Sequence, residues 1–177
     1  MPLRVEPPDD AQDLQDSVIS AVGAQFGNTP TVSAPYPVET ANLETVAAGD
    51  ILGGLLDIPR WQCLIGSEEP SAAVDVMRDQ DRYVVVSVNY GELAPRLNEV
   101  IRTAEQLLPQ GDYELRSLEV PGLNFVAVHL VGEGSDLFFP VLPRGAGPNN
   151  IPARSYTAAE LAASLQEAAE QVLRDEQ

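Results

Sequence analysis

His129 and Cys63 are the only histidine and the only cysteine in the chain, so any acid–base or thiol chemistry has to start from them. Histidine titrates near neutral pH and serves general catalysis, and a thiolate is a nucleophile. His129 sits in the run Phe125-Val126-Ala127-Val128-His129-Leu130-Val131, with apolar neighbours on both sides. No serine or cysteine nucleophile in a recognisable local motif accompanies it. The plain expectation is therefore a hydrogen-bonded core or half-buried histidine rather than a general base. Cys63 shares a strand face with Trp61 and Ile65, with no cation on that face, which points to an inert buried thiol. One histidine and one cysteine also nearly exclude the common zinc ligand sets.

Other groups invite chemistry less strongly. Gly132-Glu133-Gly134 and Arg144-Gly145-Ala146-Gly147 look like phosphate loops only superficially. Neither matches a nucleotide-binding fingerprint or leads straight into a helix. The acidic pairs Glu68-Glu69 and Asp79/Asp81 fall in expected turns, without the spacing of a calcium loop. Arg144 and Arg154 bracket a Gly/Pro/Asn-rich loop. Together with His129 they are the candidate ligands of an anion site near residues 143–155. No residue is assigned a catalytic, cofactor-binding or metal-binding role, and no cofactor is expected.

Charge narrows the partners. The 177 residues carry a formal net charge of -17, and all ten basic residues are arginine. Such acidity opposes counterion-releasing contact with nucleic acid and docking on an anionic membrane. It is compatible with a basic protein partner, with mimicry of nucleic acid, or simply with solubility through repulsion. The Ala- and Arg-rich, Lys-free composition points to a GC-rich bacterial genome. No run approaches the ~20 apolar residues of a membrane span, and the first eight residues have no signal-peptide core. A cytoplasmic location is expected.

The elements that must position these residues follow from periodicity. Residues 1–8 read as a disordered arm, and 9–177 as a single domain. Leu14, Val18, Val22 and Phe26 make one helical stripe after Asp9 and Asp10, stopped at Gly27-Asn28. Residues 28–42, with Pro30, Pro35 and Pro37, read as an extended strap across the surface. Leu43–Ala48 reads as a short strand, and Asp50–Leu56 as one or two helical turns. Strands are expected at Arg60–Ile65, around Val74 and Val76, and at Tyr83–Val88, followed by a helix from about Leu93 to Leu108. If the strand, helix and strand from 83 to 119 form a right-handed crossover, the sheet is mixed. Three antiparallel strands then fill residues 112–142, with a bulge near Ser117 where the alternation of the first slips. The third is an edge strand because it contains Pro140. Thr157 and Glu160 signal a capping box for a last helix. The fold class is thus α+β: a mostly antiparallel sheet of five to six strands with helices packed on it.

The block from Tyr113 to Leu142, followed by Tyr156-Thr157-Ala158-Ala159-Glu160-Leu161, resembles a recurring block in bacterial proteins known only as uncharacterised. The order helix, hairpin, strand, helix, three strands, helix is similar to that of roadblock domains and, more loosely, of type III secretion chaperones. Those resemblances imply a small non-enzymatic dimer that binds another protein. The expected function is accordingly a non-catalytic protein-interaction module, in homodimeric form, without nucleic-acid or membrane partners. The alternatives are the anionic-ligand or enzymatic domain sited at His129, Arg144 and Arg154, and the acidic mimic of nucleic acid.

Overall fold

In chain order the elements are β1 (Leu3–Arg4), α1 (Ala11–Val22), β2 (Tyr36–Ala41), α2 (Leu43–Ala47), β3 (Leu55–Leu56), β4 (Arg60–Ile65), β5 (Ala72–Asp79), β6 (Arg82–Asn89), α3 (Leu93–Leu107), β7 (Tyr113–Val120), β8 (Phe125–Gly132), β9 (Leu137–Pro140) and α4 (Ala158–Asp175). The structure, a computed structural model, describes residues 3–27, 30–66, 68–108, 111–141 and 154–176. The fold is α+β, and the sheet is mostly antiparallel and mixed. It holds nine strands rather than five to six, in the order β6-β5-β4-β2-β7-β8-β9, with β1 also on β7 and β3 also on β2.

The additional strands come from segments that carry little pattern. The expected strap at 28–42 is instead in part the central strand. β2 pairs antiparallel with β4 through Tyr36 and Pro37, and parallel with β7 through Val38, Glu39 and Thr40. A proline has no N–H to give, so Pro37 is tolerated where β2 passes from one partner to the other. The expected disordered arm also contains a strand: Leu3 and Arg4 pair parallel with Tyr113 and Glu114, and Leu3 is buried. Leu43–Ala47 is a helix rather than a strand, because the Asn42 side chain accepts from the Glu44 N–H and caps it. The turns expected over Asp50–Leu56 shrink to a 3-10 turn at Leu52–Gly54, followed by β3.

The parallel pairs are β2/β7 and β1/β7. They do not arise from the expected crossover. β6 stands four places from β7, and three antiparallel steps followed by one parallel step make β6 antiparallel to it. No bulge interrupts β7, which pairs with β8 in unbroken register from Tyr113↔Gly132 to Val120↔Phe125. The slip in its alternation has another cause. Leu115 packs under α3 on one face, while Leu118 and Val120 pack under α2 and α4 on the other.

Helices cover both faces. α1 lays Leu14, Val18 and Val22 over Cys63, Val74 and Val76. α4 brings Leu161, Leu165 and Ala169 onto Leu118, Phe125 and Phe138. Strand parity places these two layers on the same side of the sheet, and α3 (Ala94, Leu97, Ala104) covers the opposite side over Ala73, Val128 and Leu130. Burial of each such Leu or Phe contributes about 1.5–3 kcal/mol. The capping box of α4 forms: Glu160 N–H donates to Thr157 Oγ1 at 3.3 Å, and Thr157 N–H donates to the Glu160 carboxylate at 2.9 Å. Asp10 precedes α1 without capping it, its carboxylate accepting from the Tyr83 hydroxyl instead. Gly27, with φ +84°, follows the 3-10 turn that ends this segment.

Candidate functional site

Three adjacent strands assemble a polar chain inside an apolar sheet. Arg116 of β7 is directly opposite His129 of β8, and Phe138 of β9 is opposite His129 on its other side. Glu39 of β2 is paired with Leu118, one pleat further along the same face as Arg116. Asp136 comes from the loop between β8 and β9.

The contacts run in series. Glu114 accepts from Arg116 Nε at 2.7 Å, and Arg116 Nη1 donates to Glu39 at 2.6 Å. The second Glu39 oxygen lies 2.6 Å from His129 Nδ1, and Asp136 lies 3.1 Å from His129 Nε2. The Phe138 ring stacks on the imidazole at 4.3 Å. His129 is 1% exposed, so this is an interior structure. Burial opposes the charge on Glu39, but the hydrogen bonds and charges of His129 and Arg116 outweigh it and hold its carboxyl below the usual range. The hydrogen bond to Glu114, followed by that to Glu39, pushes the Arg116 pKa up despite burial.

This geometry limits the chemistry. A general base needs a bare ring nitrogen aimed at a substrate proton. Both nitrogens of His129 already face carboxylates, and a ring with an N–H on each satisfies both of them. Ser117 adjoins Arg116 in sequence, yet alternation turns its hydroxyl to the other face of the sheet. It is fully buried there, without a hydrogen-bond partner among the described residues. Burial, with a smaller contribution from Asp75, pushes the Cys63 thiol up to about 12, leaving it protonated and unreactive.

The sequence-derived ligand candidates do not assemble. Arg144 lies outside the described residues. Arg154 lies over the Tyr156 ring at 3.9 Å, donates to Ser155 O at 2.9 Å and stands 3.5 Å from Glu160. No hydrogen bond or ion pair joins it to His129 among the described residues. Among those residues no group of three or more His, Cys, Asp and Glu is placed to hold a metal ion. Sequence reasoning missed Glu39, Glu114, Arg116 and Asp136. The available signal was Glu114 and Arg116, two charges in a strand flanking a β-branched one that holds the lone histidine.

A second polar group occupies the opposite face. Tyr36 donates its hydroxyl to Gln62 at 2.8 Å, and the Gln62 amide donates to Asp75 at 2.9 Å. Arg60 pairs with Glu119 nearby. Burial, followed by the Glu119 charge, raises the pKa of Asp75. Its charge therefore opposes folding at neutral pH, and the penalty vanishes as pH falls through the raised pKa. Asp75→Asn keeps the acceptor for Gln62 and removes the charge. It is expected to raise the urea midpoint at pH 7, with the gain shrinking in acid. A lower midpoint at pH 7 would contradict this assignment.

Comparison of the chain with protein-family models, curated proteins and solved structures finds no match. No helix among the described residues is long and apolar enough to cross a membrane.

Proposed function

We propose that the protein is a non-catalytic, cytoplasmic bacterial interaction module that works through its surface. What carries this is the state of His129: the one side chain suited to acid–base work at neutral pH has both ring nitrogens engaged, 2.6 and 3.1 Å from carboxylates, inside the sheet. The buried thiol and the split between Ser117 and His129 support the same view.

A thermal-shift screen against anionic metabolites, run beside affinity capture from the native host, tests it. An anion site filled at 100 times its Kd would add about 2.7 kcal/mol of stability, enough to move Tm by several degrees. The expected result is no such shift, together with a protein partner recovered in stoichiometric amount. A shift of that size, removed by Arg154→Gln, would overturn the proposal in favour of an anion-binding domain.

A further inference from the structure

The two edges of the sheet are finished differently. The β9 edge is closed. Phe138 and Tyr156 exchange two backbone hydrogen bonds of 2.8 Å, and β9 ends on Pro140. The β6 edge is open. Its eight residues pair with β5 alone, and no other backbone hydrogen bond among the described residues reaches them. Alternate residues of an edge strand turn their N–H and C=O groups outward, and natural proteins normally blunt such a row with charged side chains, proline, a bulge or a cover; β6 has a single bulge, at Val86. β6 reads Arg82-Tyr83-Val84-Val85-Val86-Ser87-Val88-Asn89, with neither lysine nor proline. α1 packs on the face of β6 that holds Tyr83, Val85 and Val88.

Past Arg82, the exposed residues of this strand, Val86, Ser87 and Asn89, are uncharged. The β5 register steps from Val76↔Val85 to Asp75↔Ser87, so Val86 has no partner, and it is 49% exposed. Tyr90, just past the strand, is 53% exposed. From Tyr83 to Gly91 no residue carries a charge at neutral pH, on a chain whose net charge is -17.

We propose that this edge is the contact surface for a second copy of the chain, two β6 strands pairing antiparallel across a two-fold axis into one continuous sheet. This rests on the protein-interaction role proposed above and names one partner for it. Antiparallel pairing of identical strands is self-complementary, as an isologous interface requires. Two bodies of like charge approach at least cost along a neutral strip. The ends match as well. Pairing sets the start of each strand beside the end of the other, so the Arg82 side chain, 77% exposed, approaches Glu92 of the second copy, 68% exposed in this one. Asp79 and Asp81 flank Arg82, and Arg96 backs Glu92, so neither end presents charges of one sign alone.

The test is the oligomeric state of the full chain by sedimentation equilibrium, joined to amide hydrogen exchange at low and high protein concentration. A dimer is expected, tightening as added salt screens the like net charges. Val86→Glu is expected to weaken it by about 30-fold or more, the scale of an interface hot spot, with the Tm at concentrations where both chains are monomeric unchanged. The outward amides of β6 are expected to gain protection with concentration. A wild-type chain that stays monomeric at every concentration and salt overturns the proposal. So does a dimer whose β6 amides exchange equally fast throughout, because its interface then lies elsewhere. Should the variant fail to fold, the wild-type exchange pattern alone decides. A monomer that still retains a host partner sinks only the pairing, whereas a monomer without one sinks the interaction role too.

Discussion

Glu39→Leu is expected to lower the free energy of unfolding by about 3–5 kcal/mol at pH 7, the scale for removing one partner of a buried ion pair. Glu39 holds both sides of the polar chain, accepting from Arg116 and lying 2.6 Å from His129 Nδ1. Without it the imidazole keeps a buried Nδ1 with no acceptor, and Arg116 keeps only Glu114. Such orphaned groups carry their full desolvation cost. Glu39→Gln retains one acceptor oxygen and is expected to lose less. The pH dependence gives a second check. The carboxyl of Glu39 is held below its usual range in the folded chain. Its contribution is therefore complete above the unfolded carboxylate range and is lost as pH falls through the depressed folded value. The gap between wild type and Glu39→Leu should narrow in acid. Urea titrations across that range measure both; a loss below about 1 kcal/mol at pH 7 would mean that the cluster is solvated and its pairing unimportant.

How much of this was legible in the sequence depends on the neighbourhood of each residue. The helix stripes were plain, because Leu14, Val18 and Val22, and likewise Leu161 and Leu165, recur at helical spacing and face a single core. The hairpin of β7 and β8 was plain for the same reason, at a period of two. His129 was rightly placed among apolar residues, yet its partners could not be read. Glu39 lies ninety residues before His129 in the chain, within a stretch whose prolines read as a strap. What makes that stretch a strand is not its own pattern but two neighbours, β4 and β7, that need a partner between them. Tertiary pairing here overrode local propensity. Glu114 and Arg116 misled in a different way. Their alternation with Tyr113 and Leu115 is the pattern of a half-solvated strand, whereas Glu114 is 7% exposed. A polar face looks the same in sequence whether water or a buried counter-ion satisfies it. β1 was invisible because two residues carry no period at all.

Phe138 joins the polar chain to the apolar layer, and Phe138→Ala is expected to cost about 3–5 kcal/mol. The residue is fully buried within the cluster that includes Phe125, Tyr156, Leu161 and Leu165. Its backbone exchanges two hydrogen bonds with Tyr156, and its ring stacks on His129 at 4.3 Å, nearly parallel at 14°. Truncation opens a cavity beside the imidazole, and the neighbours available to fill it are fixed by β8 and α4. Water entering that space would solvate His129 and Asp136, weakening the reason for their alignment. Phe138→Leu retains most of the volume but not the stacked ring, so it should recover the larger part of the loss. The order alanine, leucine, wild type in urea midpoint is the expected outcome. Equal losses for leucine and alanine would mean that ring stacking on the histidine, rather than filled volume, is what β9 supplies to the core.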